Sequence, residues 1–338
     1  MKLPSYFKEF LAEIEPSPSY KEDQQKGHTV LRKRLAADED FSKIHVNTFL
    51  QGSYKRKTAI HPGKDVDIVV VTSLDPDATT PSDANAQLEK CLRKYYDRVT
   101  PQNRSYCVSL SYVTMDVVIA TSRHLRTEAA LLESVRTADE IENAKAWVDH
   151  PLLIPDRDLG RWVETDPKRQ LQWTTDVNAS CGGYFVPLVK MVKWWRKETY
   201  STPKYPKGYV LERFAGECAG RSVRDHAEGF VQLLSNLQAR YGSDILLSRV
   251  PHLSDPGVPS HNVAHRLSAD DFRAFMEKVD AVLPTVRAAI DHTDIGESTK
   301  LWREVFGSKF PAASAAAKAA SFPPVPVRPN KPAGFADD

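Results

Sequence analysis

Apolar residues fall at two different spacings along this chain. In the first third they alternate or run together in short β-branched stretches, HVNTFL (45–50), DVDIVVV (65–71) and CVSLSYVTMDVVIA (107–120), which predict strands. The last of these is long enough for one extended strand or a hairpin. Elsewhere apolar positions recur every three or four residues and predict helices: one or two over 5–37 broken at Pro16-Ser17-Pro18, and one near 82–98. A further helix is predicted over 125–149, carried by Leu131, Leu132, Val135, Ile141 and Trp147. Residues 176–310 read as mostly helical, including 186–200, 230–241 and 271–290. A Pro- and Asp-rich connector, 150–168, joins the two regions. From about Phe310 the chain is small residues and proline with almost nothing to bury, which predicts a flexible tail.

A chain of 338 residues can hold two lobes around a shared cleft, and the pattern divides it into 1–170, 171–310 and a tail, 311–338. The formal net charge is only +2, so long nucleic acid is not an expected partner and any anion binding must be local. No stretch approaches the roughly 20 apolar residues that span a bilayer. The N-terminal Phe7, Phe10, Leu11 and Ile14 suit a helix of the fold, and a soluble, cytoplasmic protein is expected. Cys91, Cys107, Cys181 and Cys218 are scattered without a Cys-x-x-Cys pair, which fits a reducing compartment and indicates neither disulfide nor zinc. His252, His261 and His265 lie in a Pro/Gly/Ser-rich stretch and read as exposed or capping residues.

Candidate chemistry concentrates between 48 and 71. The first strand stops at Gly52-Ser53, where glycine allows close backbone approach and serine adds a hydroxyl and an N–H for phosphoryl oxygens. Lys55, Arg56, Lys57 and Lys64 follow, enough cations for a triphosphate. On the next strand, period two puts Asp65 and Asp67 on one face and Val66, Ile68 and Val70 on the other. Neighbouring carboxylates repel each other unless a divalent cation lies between them, and hard oxygen donors suit Mg²⁺. Asp116, an acid in an apolar run, is the candidate third ligand for a two-metal site.

Gly52-Ser53, eleven residues, Asp65-Val66-Asp67 and a distant Asp116 resemble the polymerase-β-type nucleotidyltransferase pattern. FLQGSYKRKTAI, HPGKDVDIVVV and IPDRDLGRWVETDP resemble more narrowly the bacterial cGAS/DncV-like nucleotidyltransferases, relatives of oligoadenylate synthetase that make cyclic oligonucleotide signals in anti-phage defence. VPLVKMVKWWRKETY, YPKGYVLERFAGECA and DPGVPSHNVAHRLS resemble, in order, the Lys-x-Trp, Tyr-x-Leu-Glu and Asp-Pro…Asn-Val elements of that group's helical domain.

The resemblance implies an α+β, two-lobed fold: a polymerase-β-like core with a mixed sheet, packed on a helical C-terminal lobe. It implies Asp65, Asp67 and Asp116 as catalytic metal ligands, two Mg²⁺ ions (Mn²⁺ substituting), and ATP or GTP as substrates. Gln51, Gly52, Ser53, Lys190, Lys193, Lys207, Gly208 and Tyr209 become substrate contacts, with Lys193 reaching the triphosphate. Gly208 departs from the Ser or Gln that relatives often carry before the Tyr, and Lys207 is the obvious substitute. The tail is expected to engage a conjugating or activating partner protein. Asp255 and Asn262 are expected to tie their loop together, Arg157 and Trp162 to pin the two lobes, Tyr54 to stack or cover, and Trp194-Trp195 to sit in the core with one ring toward the cleft. Other readings stay open at this level: a template-independent RNA or tRNA nucleotidyltransferase, a nucleotidyl-transferring toxin, and a silent nucleotide-binding regulator.

Overall fold

The computed structural model describes residues 1–63, 65–124, 150–200 and 205–313. Lys64, the helix predicted over 125–149 and the tail beyond Ala313 lie outside them. Helix starts follow their caps: α1 (Pro4–Glu13) ends before Pro16, and Ser17 accepts the Tyr20 N–H to open α2 (Pro18–Ala37). Strand β1 (His45–Gln51) then runs into a four-residue helix, α3 (Gly52–Lys55). After β2 (Val66–Thr72), Thr80 caps α4 (Pro81–Tyr95), which leads to β3 (Val99–Pro101), β4 (Tyr106–Ser109) and β5 (Thr114–Ala120). The apolar run 107–120 is thus mostly the β4–β5 hairpin, with Val113 O accepting from Leu110 N at its turn.

The five strands form one mixed sheet in the order β1-β2-β5-β4-β3, with β2 and β5 parallel and the other pairs antiparallel. A parallel pair needs a crossover, and α4 with the β3 and β4 strands supplies it. One face of the sheet, Val66, Ile68, Val70, Met115, Val117 and Ile119, is buried under Leu31 and Leu35 of α2 and Ala84, Leu88 and Leu92 of α4. On the opposite face Val69, Val71, Val118 and Ala120 pack on Leu152 and Ile154. These last two belong to β6 (Leu152–Asp156), which pairs with β7 (Arg161–Thr165) as a separate hairpin within the Pro- and Asp-rich connector read from the sequence. Pro155 and the surrounding aspartates hid its alternation.

The second half is helical: α5 (Pro167–Ser180), α6 (Phe185–Thr199), α7 (Gly208–Cys218), α8 (His226–Leu246), α9 (Ala269–Asp291) and α10 (Ile295–Phe306). Its core includes Phe185, Phe214, Phe230, Phe275, Trp302 and Phe306. Helix α1 joins this core, away from the strands with which the sequence order groups it. Phe7 meets Trp302 edge-on at 4.9 Å and Phe310 at 5.1 Å. Trp194 and Trp195 are both buried here, and neither faces a cleft. Among the described residues no helix is long and apolar enough to cross a membrane.

Candidate active site

Register sets the centre of the site. Asp67 on β2 stands directly opposite Asp116 on β5, with Gln51 opposite Asp67 on β1 and Cys107 opposite Asp116 on β4. Both carboxylates share the sheet face of Val69 and Val118, so they look toward the β6–β7 hairpin and not into the α2–α4 core. Asp65 lies just before β2 and is close enough for its charge, with that of Asp67, to act on Asp116. Burial and these two charges push the Asp116 carboxyl up to about 7, and its Oδ1 is buried without a hydrogen-bond partner.

Gly52 makes the close approach possible. It has φ +70°, and a Cβ there would fall 1.6 Å from Asp67 Oδ2. Only glycine accepts both that conformation and that neighbour. Ser53 and Tyr54 continue the turn into α3. Tyr54 packs at the edge of the sheet's helix-covered core, its ring 6.0 Å from His28, and so covers. Of the four cations near the turn, Lys55 and Lys57 are exposed, while Arg56 is buried and directed inward.

A cavity of about 600 Å³ opens over this centre. Gln51, Gly52, Arg56, Asp67 and Asp116 form its floor; Arg161, Val163 and Glu164 of β7 and Ser260, His261 and His265 of a loop supply other walls. Tyr209, at the start of α7, also lines it, with the Arg56 guanidinium 4.7 Å from its ring centroid. The loop is braced as expected: Asn262 Oδ1 accepts from Leu253 N and Ala264 N, and Asp255 Oδ1 accepts from Gly257 N. The same bracing carries His261 and His265 to the cavity, which local sequence did not suggest.

Of the predicted substrate contacts, Gln51, Gly52 and Tyr209 line this cavity, while Ser53, Lys190, Lys193, Lys207 and Gly208 are not among its lining residues. Lys193 donates to Glu212 Oε1 at 2.6 Å and to Thr58 O at 3.0 Å, both in the interior. Lys190 pairs with Glu15, and Lys207 is exposed with its ammonium 5.3 Å from the Tyr205 ring. Gly208, the first residue of α7, leaves ordinary contact room beside Lys193: a Cβ there would be 3.5 Å from its Cε. Arg157 and Trp162 do pin, but within the first lobe: Trp162 Nε1 donates to Thr79 O and Arg157 to Ser105 O.

The donor set suits a hard divalent cation. Carboxylates converge from two neighbouring strands, and one buried oxygen lacks a partner that a cation would supply. Among the described residues, no three His, Cys, Asp or Glu side chains already form a complete metal cluster. The fit therefore rests on the chemistry of the donors and the orphaned oxygen.

The profile of the Second Messenger Oligonucleotide or Dinucleotide Synthetase domain matches residues 1–129, which include all three aspartates. Over 92% of each chain, this protein is 38% identical to the cyclic AMP-AMP-GMP synthase of Enterobacter hormaechei subsp. hoffmannii. It is 36% identical to the cyclic AMP-AMP-AMP synthase of an Acinetobacter species, across 98% of this chain and 96% of that one. The fold is similar to that of E. coli MS115-1 CdnC, solved in complex with HORMA-deltaN, with a TM-score of 0.66 and 18% identity over 91% of this chain and 98% of the other. With relatives of this identity along nearly its whole length, the chain belongs to the bacterial cGAS/DncV-like nucleotidyltransferases, a family of cyclic oligonucleotide synthases.

Proposed function

We propose that the protein joins ATP, alone or with GTP, into a cyclic trinucleotide, releasing one pyrophosphate for each bond. The observation that carries this reading is the pairing of Asp67 with Asp116 across β2 and β5, next to a glycine turn packed against the Asp67 carboxylate. Of the cyclic di- or trinucleotide that such an enzyme could make, the names of the relatives support the three-nucleotide ring.

Asp65, Asp67 and Asp116 would hold two Mg²⁺ ions, or Mn²⁺ in their place. Bound there, the ions would acidify a ribose hydroxyl of the acceptor nucleotide and offset the charge of the donor triphosphate. The chain's own groups do the rest. Arg56 binds the donor's phosphates in ground and transition state alike, and backbone N–H groups at Gly52 and Ser53 orient them so that the ribose oxygen bonds to the α-phosphorus as the bond from that phosphorus to pyrophosphate breaks. Tyr209 offers a ring and the polar cavity wall offers hydrogen bonds to a base. Gln51 flanks the donor side of the turn. Repetition on a linear intermediate and closure of its ends completes the product.

Anti-phage signalling in the cytoplasm, with the tail engaging a partner protein, is part of the same reading. The HORMA-bound CdnC structure supports a protein partner in this fold. Deleting residues 312–338 should leave synthesis unchanged and abolish partner attachment; attachment that survives the deletion refutes this role.

Incubating the protein with radiolabelled ATP, GTP, CTP and UTP, singly and mixed, with Mg²⁺ tests the synthase reading. A phosphatase-resistant, nuclease-sensitive product with the mass of a cyclic trinucleotide is expected. Product formed only when RNA, tRNA or protein is added would favour a polymer- or target-modifying enzyme instead.

A further inference from the structure

Outside the aspartate centre, Glu212 is a buried carboxylate that carries several charged and polar partners. It lies on α7, is 1% exposed, and belongs to no substrate contact considered above. Its carboxylate takes three partners from two separate segments. Arg56 reaches it with Nε at 2.8 Å and Nη2 at 3.3 Å, Thr58 donates its hydroxyl at 2.8 Å, and Lys193 of α6 donates at 2.6 Å. Lys193 also donates to Thr58 O and approaches its Oγ1 at 3.2 Å, closing the group behind the Gly52 turn.

One carboxylate thus serves two buried cations, and the two are treated differently. Lys193 is drawn into the interior. Arg56 is held by its Nε edge and one terminal nitrogen, which fixes the plane of its guanidinium against Tyr209 while the residue still lines the cavity. It is also near enough to Asp67 for their charges to interact. A flexible arginine would lose conformational freedom on meeting a phosphate, and one already fixed by a buried carboxylate loses less.

The geometry points to Glu212 as a positioning residue for nucleotide binding: it retains Lys193 in the interior and fixes Arg56 as the cation presented to the donor's phosphates. This rests on the synthase reading above. It goes beyond it by giving the phosphate contact to Arg56 and the control of that contact to a residue of the other lobe. A purely structural ion pair would hold the lobes together without setting nucleotide affinity, so the two roles separate experimentally.

The test is a double-mutant cycle on the full chain with Glu212→Gln, Arg56→Met and the double variant, together with Glu212→Asp. Each is assayed for KM and kcat with ATP and Mg²⁺ and for thermal melting. Glu212→Gln and Arg56→Met should each raise KM about tenfold with kcat changed less than about threefold, because binding common to ground and transition states is lost. The double variant should be no worse than Arg56→Met alone, since Glu212 acts through Arg56. Glu212→Asp keeps the charge and should recover most of the affinity.

Should Glu212→Gln fail to fold with two cations on a neutral side chain, Arg56→Met against the double variant and Glu212→Asp against wild type still decide. Multiplying KM effects, or a Glu212→Asp variant that melts normally and binds as poorly as Arg56→Met, overturn the proposal. If wild type makes no product from any nucleotide, the synthase reading fails by itself, and the same cycle read as equilibrium ATP affinity judges Glu212 separately.

Discussion

Asp67 and Asp116 are register partners on the molecule's parallel strand pair, and the Asp116 carboxyl has an oxygen buried without a hydrogen bond. Two acids so placed destabilise the fold that carries them, and the chain spends this stability where a cation can recover it. Function and stability are therefore opposed at this pair, and substitution there should separate them.

Asp67→Asn and Asp116→Asn should each abolish product formation. Asp116→Asn removes like charge from beside Asp65 and Asp67, so in metal-free buffer it should cost no more than about 0.5 kcal/mol and should melt at or above the wild-type temperature. Chelation of divalent ions should abolish synthesis by the wild type reversibly. Calorimetry and product chromatography on the same preparations check this; a large drop in melting temperature for Asp116→Asn would contradict it.

Gly52→Ala attacks the same centre from the backbone. Its φ of +70° penalises any side chain by about 1–2 kcal/mol, and the new Cβ must also displace the Asp67 carboxylate. Stability in denaturant should fall by at least that amount and synthesis should be lost. Gly208→Ser is the control: a Cβ there meets Lys193 Cε at 3.5 Å, ordinary contact, so folding should be retained.

Much of this centre was legible because strands have a period of two. Asp67, between Val66 and Ile68 on β2, could only face away from both, and Val66, Ile68 and Val70 are indeed in the helix-covered core. What was not legible depends on partners distant in sequence. Arg56 turns inward because of Glu212, 156 residues later, and nothing local distinguishes it from Lys55 or Lys57. The amphipathic pattern of Phe7, Phe10 and Ile14 announces a helix but not which core receives it, and it went to the helical lobe. His261 and His265 line the cavity in a loop that Asn262 ties back to Leu253, a contact no local pattern announces.

Phe310 is the last residue of the helical core among the described residues. It is fully buried and contacts the rings of Phe7, Phe10, Trp302 and Phe306. Phe310→Ala should cost about 3–5 kcal/mol by cavity formation and lost ring contacts, lowering the denaturant midpoint with little change in slope. A cost below 1 kcal/mol would show that this aromatic cluster does not form in solution.

The buried Glu212 carboxylate should also give the protein an acid-sensitive element. Burial alone would raise its pKa, but Lys193 and Arg56 outweigh that and hold the carboxyl down to about 2, below its ordinary 4.5. A carboxylate depressed on folding contributes stability that is complete above the unfolded value and is lost as pH falls toward the folded one. The loss should therefore run from about pH 4.5 downward toward pH 2. Arg56→Met with Glu212→Gln removes the titrating group and one cation together, so its unfolding free energy should fall less steeply over that range than wild type's. Denaturant titrations at pH 6, 4 and 3 on both proteins measure the difference. Parallel pH dependences would mean that Lys193 and Arg56 do not stabilise the ionised carboxylate in solution.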